Sequence, residues 1–269
     1  MRRDFVVCVL LTFCPCLSPL ARGSAFNSEV QDVLYTIRRA APPAAGASVE
    51  ELERTGDQLR SEKAYLDALD YYQAALAKKP DNARVLNKRG IVELQMQHYK
   101  QARKDFEKAI KLERTFASTY NNLGAVFFTQ KKYGAAIKQY QKAIQLAPDV
   151  ATYYANIGTA YFAKNEFELA GMSLAKAMEL DPEVLERQAH AGVSGLRSRE
   201  ASARYTFVLA RLYASKGAND RSLEYLRRAI DQGYKAIEDV YKDSVFAGLR
   251  KDPRFAELMA APRPSAYAE

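Results

Sequence analysis

The chain has 269 residues, 48% of them apolar, with only 13 Gly and 10 Pro. That excludes disorder over most of its length and disfavours a loop-rich or β-rich fold. Its 40 Lys and Arg against 32 Asp and Glu give a net charge of +8, short of the dense basic face that nucleic-acid binding asks for.

The N-terminus reads first as a targeting segment. Met1-Arg2-Arg3 is a positive start, and Phe5 to Leu17 is an apolar run too short to span a bilayer. Gly23-Ser24-Ala25 then places small residues at −3 and −1 of a cleavage site before Phe26. This is the layout of a secretory signal peptide over residues 1–25, so the chain is expected to be exported, periplasmic or secreted. An uncleaved anchor is the alternative, disfavoured by Pro15 and Pro19. Cleavage would remove Arg2, Arg3, Arg22 and Asp4, leaving 37 basic and 31 acidic residues. It would also remove Cys8, Cys14 and Cys16, all the cysteines there are, and with them disulfide and thiolate chemistry. Residues 26–48 follow as a capping helix and a linker. Ser28 and Gln31 fit a capping box, and Val30, Val33, Leu34 and Ile37 form a small apolar face; Ala-Pro-Pro-Ala-Ala-Gly-Ala-Ser at 41–48 is the linker.

Residues 49–184 are internally periodic. Ala68, Tyr72, Ala75 and Pro80 recur as Ala136, Tyr140, Ala143 and Pro148, with Ala102, Phe106 and Ala109 between them and Ala170, Leu174, Ala177 and Pro182 after. Four units of 34 residues result: 49–82, 83–116, 117–150 and 151–184. The first half of each carries apolar or small residues at positions 4, 7, 8 and 11, one face of a helix. Position 8 is Gly56, Gly90, Gly124 and Gly158. A helix-interior Gly costs about 1 kcal/mol, so its recurrence predicts a neighbouring helix too close for a Cβ. The second half carries Ala at 20 and 27 around a large residue at 24, and Tyr65, Tyr99, Tyr133 and Phe167 at position 17 plug the turn. These slots explain why Tyr occurs 17 times and Trp not at all. Pro80, Pro148 and Pro182 end second helices.

The pattern of aromatic or Leu, Leu, Gly, Tyr, then Ala, aromatic, Ala, Pro resembles the tetratricopeptide repeat. Departures are Arg114 for Pro and Glu93 for the position-11 aromatic in the second unit, and Thr55 and Leu59 in the first. The resemblance implies an all-α, right-handed superhelical solenoid of antiparallel helix pairs. Residues 185–202 break the register as an insertion. A degenerate fifth unit resumes over 203–236, with Ala210 in the Gly slot and Tyr213, Leu226 and Ala229 in register. Capping helices are expected over 237–261, with Asp252-Pro253 opening the last, then a disordered tail at 262–269.

Catalytic chemistry has little to draw on. The two histidines, His98 and His190, do not make a metal site, and neither a phosphate loop nor a nucleophile elbow is present. No enzymatic activity, cofactor, metal, small-molecule substrate or nucleic-acid partner is expected. The resemblance instead implies a concave groove lined by first helices, with positions 2, 5, 6, 9, 12 and 13 facing it, that binds a peptide or partner protein. Positions 5 and 6 supply Asn87, Asn121, Asn122 and Asn156, whose amides can pair with an extended backbone; Asn122 and Asn156 resemble the asparagine ladder of long arrays. Position 12 supplies Leu94, Phe128 and Phe162, read either as an apolar stripe along the groove or as core between adjacent first helices. Of the chaperone-binding clamp of the family only Asn122 is present. The alternative function is a structural or assembly role in an envelope complex, through the convex face or terminal helices. Charge runs unevenly, with 5 basic and 8 acidic residues in the first unit, 9 and 4 in the second, 4 and 1 in the third, 2 and 5 in the fourth. The basic middle, including Arg84, Lys88, Arg103, Lys104, Lys108 and Lys111, would steer an acidic partner.

Overall fold

The structure is a computed structural model that describes residues 40–190 and 199–261. The expected signal segment, the capping helix before the linker and the tail 262–269 lie outside the described residues. The architecture below belongs to the unit 44–269, with helices numbered over the described residues. Four antiparallel pairs come first: α1 (Val49–Ser61) with α2 (Tyr65–Lys78), α3 (Ala83–Gln95) with α4 (Tyr99–Leu112), α5 (Ala117–Thr129) with α6 (Tyr133–Leu146), and α7 (Ala151–Ala163) with α8 (Phe167–Leu180). Each second helix also packs on the next first helix, and α1, α3, α5 and α7 lie side by side. No strand occurs among the described residues.

Local chemistry sets the helix ends. Ser48 and Glu51 form a reciprocal capping box at the start of α1, and the Asn82 side chain accepts from the Val85 N–H at 3.1 Å to start α3. Every first helix ends the same way. The residue at position 15 adopts a left-handed conformation, as Lys63, Gln97, Lys131, Asn165 and Gly217 with φ between 60 and 70°. The next N–H then donates back to the carbonyl at position 11: Ala64 to Leu59, His98 to Glu93, Lys132 to Phe127, Glu166 to Tyr161 and Ala218 to Tyr213, at 2.8–3.0 Å. This reversal ties off orphan carbonyls and turns the chain within three residues.

The pairs close over the position-8 glycines. A Cβ on Gly56, Gly90 or Gly124 would stand 2.7, 2.7 or 2.6 Å from the ring of Tyr72, Phe106 or Tyr140, and one on Gly158 would stand 2.8 Å from Leu174. The crowding is the position-24 side chain of the same unit, fully buried in Tyr72, Phe106 and Leu174. In the second unit the interior is partly polar. Arg89, where the later units carry Leu or Ile, makes a bidentate pair with buried Asp105 at 2.6 and 2.7 Å. That bond raises the Arg89 pKa further, so the guanidinium stays charged. Glu93 accepts instead from its turn, 2.8 Å from His98 Nδ1.

The segment expected as an insertion contains a helix, α9 (Val184–His190), with Val184, Leu185 and Glu186 buried. Glu186 Oε1 accepts from the hydroxyls of Tyr213 and Tyr225 at 3.2 and 3.1 Å, and those two rings stack at 5.2 Å. Burial first, and then the Glu186 carboxylate, pushes both phenols far above their ordinary range. The fifth pair is α10 (Arg199–Ser215) with α11 (Asn219–Gln232). It starts at Arg199, whose guanidinium donates to the Asp231 and Gln232 carbonyls at the end of α11. Residues 237–251 form three short 3₁₀ turns where capping helices were expected. A last helix, α12 (Pro253–Ala260), is N-capped by Asp252. Ile237, Val240, Phe246, Leu249, Phe255 and Leu258 are buried against the last pair, closing the end of the stack as terminal repeats must.

Candidate functional site

The first helices form one wall of the solenoid, and side chains at positions 5 and 6 join them. Position 5 of one unit accepts from position 6 of the next, 35 residues on. Lys88 Nζ lies 2.6 Å from Glu53 Oε1, Asn122 Nδ2 donates to Asn87 Oδ1 at 3.0 Å, and Asn156 Nδ2 donates to Asn121 Oδ1 at 2.7 Å. Asn121 Nδ2 reaches Asn122 Oδ1 at 3.3 Å, so the four asparagines form one hydrogen-bonded row across α3, α5 and α7. The structure therefore brings together Asn87, Asn121, Asn122 and Asn156. Asn87 is 5% exposed, whereas the other three are half-buried at the surface of the wall.

The charged end of this row was missed in the sequence. Glu53, 5% exposed, also takes Arg84, at 2.8 Å from both Nε and Nη2. Lys88 bridges on to Asp57, which accepts from the Tyr72 hydroxyl at 2.7 Å. Burial, then that bond, raises the Tyr72 pKa. A Glu at position 5 followed by Lys at position 6 of the next unit, the offset that also relates Asn87 to Asn122, was the available signal. Buried carboxylates need such partners, because an unpaired one is costly.

Position 12 corrects the expected stripe. Phe128 and Phe162 are 8% and 3% exposed and belong to the core reading. Phe128 packs on Tyr133 at a centroid distance of 5.4 Å, and Phe162 packs on Phe167 and Tyr205 at 5.2 and 5.1 Å. The physical reason is the tight turn. It folds the position-17 ring back over position 12, and the next unit covers what remains. Leu94 is half-buried against the same layer. The wall therefore presents amides, and the aromatics stand behind it. His98 is exposed beside Glu93. Among the described residues no group of three or more His, Cys, Asp or Glu is placed to hold a metal ion, and no helix is long and apolar enough to cross a membrane.

Comparison with known proteins agrees with this geometry. Family models described as tetratricopeptide repeat match residues 83–116, 117–150 and 151–184. No curated protein sequence matches significantly. Among solved structures, MamA 41-end from Desulfovibrio magneticus RS-1 is 20% identical, covering 70% of this chain and 97% of that one with a TM-score of 0.50. A crystal structure of MamA is 24% identical, covering 66% and 93% with a TM-score of 0.47. The first TPR of Spaghetti (RPAP3) bound to HSP90 peptide SRMEEVD is 23% identical over 48% of this chain and 94% of that one, with a TM-score of 0.38. At such identities the likeness concerns the fold alone. Three contiguous family matches, laid over three successive helix pairs, make this chain a tetratricopeptide-repeat protein, a right-handed superhelical solenoid of antiparallel helix pairs.

Proposed function

We propose that this protein is a non-enzymatic scaffold that holds an extended segment of a partner protein against the wall of its first helices. Tetratricopeptide solenoids are protein-interaction modules, and the row of asparagines supports a backbone-reading surface here. Asn121 and Asn122 each use one amide N–H and one carbonyl contact within the row. Each retains a second N–H and further acceptor capacity. Because the row fixes their rotamers, little side-chain entropy is lost on binding. Peptide bonds, which offer one donor and one acceptor per residue, suit such groups without demanding a particular side chain.

Random peptides displayed on phage and selected on the full chain test this. Binders should weaken by about 0.5–1.5 kcal/mol on Asn122→Ala and keep their affinity on Lys138→Gln. Binders indifferent to both Asn121→Ala and Asn122→Ala would place the surface elsewhere. We also propose export, on the character of residues 1–25. Intact mass of the protein recovered outside the cytoplasm should correspond to a chain starting at Phe26, and a species keeping residues 1–25 would refute it.

A further inference from the structure

We propose a second interaction surface, separate from the first-helix wall, that binds an acidic polypeptide segment. It is an open groove of about 990 Å³ where α4 meets the turn of the following unit, the upper end of the range that ligand pockets occupy. Three cations, Lys100, Arg103 and Lys104, and three amides, Gln97, Gln101 and Gln130, line it. Two of these cations are not there to balance local carboxylates. Among the described residues neither Lys100 nor Lys104 pairs with one, and the carboxylate in the lining, Glu107, is bonded to Arg103 at 2.7 Å. Arg103 is held in place by that bond and by the Phe127 ring, 5.4 Å from the guanidinium carbon. The surrounding surface has the same sign. From Tyr99 to Leu146, Lys and Arg number ten and Asp and Glu three. One of the three, Asp105, is buried against Arg89.

The chemistry of the lining favours polypeptide over nucleic acid. Single-stranded nucleic acid is held on exposed aromatic faces along a basic track. Here Arg103 covers Phe127, and the Tyr99 hydroxyl points to Gln97 at 3.4 Å. A lining that offers amides as well as cations instead matches a chain that carries peptide groups as well as carboxylates. The Gln130 side-chain oxygen at the edge of this lining is buried with no hydrogen-bond partner among the described residues, an acceptor that a peptide N–H would satisfy. The surface does not depend on the asparagine row, and the two can be tested apart.

The probe is fluorescein-labelled hexaglutamate, titrated by polarisation against the full chain, with hexaglutamine as its neutral counterpart. Hexaglutamate should bind at least tenfold more tightly than hexaglutamine, and the difference should shrink with added salt. Lys100→Gln/Lys104→Gln should weaken hexaglutamate binding roughly tenfold at unchanged melting temperature, while Lys138→Gln/Lys142→Gln, which removes the same charge from α6, leaves it intact. Equal loss in both double variants would reduce the effect to net charge and overturn the site. Tighter binding of an oligonucleotide of equal charge, or of phosphatidylserine vesicles, would overturn the choice of partner. So would concentration-dependent self-association, abolished by Lys100→Gln/Lys104→Gln, since the groove would then take a second copy.

Discussion

Asn156 donates its side-chain amide to the Asn121 carbonyl at 2.7 Å, joining α7 to α5 across 35 residues of sequence. Neither residue can make this bond alone, so its contribution is separable by a double-mutant cycle. Asn121→Ala and Asn156→Ala, alone and combined, should show a coupling of about 0.5–1.5 kcal/mol in denaturant unfolding. Additive effects would mean the row is not maintained in solution.

Phe128 and Phe162 stand behind the wall. Phe128→Ala and Phe162→Ala should each destabilise by about 3–5 kcal/mol, seen as a large drop in unfolding midpoint. A loss below roughly 1 kcal/mol would restore the exposed stripe.

A methyl on Gly124 would meet the Tyr140 ring at 2.6–2.7 Å. Gly124→Ala should therefore cost about 1–3 kcal/mol. The fifth pair already carries the compensated combination, Ala210 with Leu226, both fully buried. Adding Tyr140→Leu to Gly124→Ala should recover part of the loss in thermal unfolding, whereas Tyr140→Leu alone should leave a void and destabilise.

Asp243 links the 3₁₀ segment to α10 through Arg211. Burial raises its pKa, but the Val245 N–H, the Arg211 bond and the charges of Arg211 and Arg250 outweigh that, and the carboxyl sits below its usual value. A depressed folded pKa gives stability that is complete above the unfolded pKa, near 4, and is lost as pH falls through the folded one. Melting temperature should fall between about pH 4 and 2. Asp243→Asn should be less stable at pH 7 and show a shallower acid dependence; an unchanged acid profile would remove Asp243 from the linkage.

The repeat was legible because each slot has one steric job. Gly124 is there for Tyr140, and Tyr133 for the turn, so residue type at a fixed offset reports the packing directly. Phe128 was ambiguous for a reason in the same geometry. Helical periodicity places a residue on a face but does not say whether the next unit or the solvent covers that face. The bonds among Asn87, Asn121, Asn122 and Asn156 depend on the registry between successive first helices, which no single helix encodes. Arg89 stands where later units are apolar, and only its meeting with Asp105 explains it. Helix α9 escaped notice because it is seven residues long, and the partners of Glu186 lie 27 and 39 residues away.

The position 5 to position 6 links also set one junction of the solenoid apart from the others. The first three junctions are indexed by directional bonds: an ion pair at Glu53–Lys88, then amide pairs at Asn87–Asn122 and Asn121–Asn156. At the fourth, the residues in the same slots are Ala155 and Val208, whose side chains cannot hydrogen-bond. What joins α7 to α10 there is the Phe162–Tyr205 ring pair and a 3.5 Å contact from Thr159 to the Tyr205 hydroxyl. Ring contacts tolerate sliding that hydrogen bonds do not. The fifth pair is held instead by the apolar core it shares with the fourth and by Glu186 of α9, which accepts from Tyr213 and Tyr225, so its registry is set from the α9 side and not by the wall.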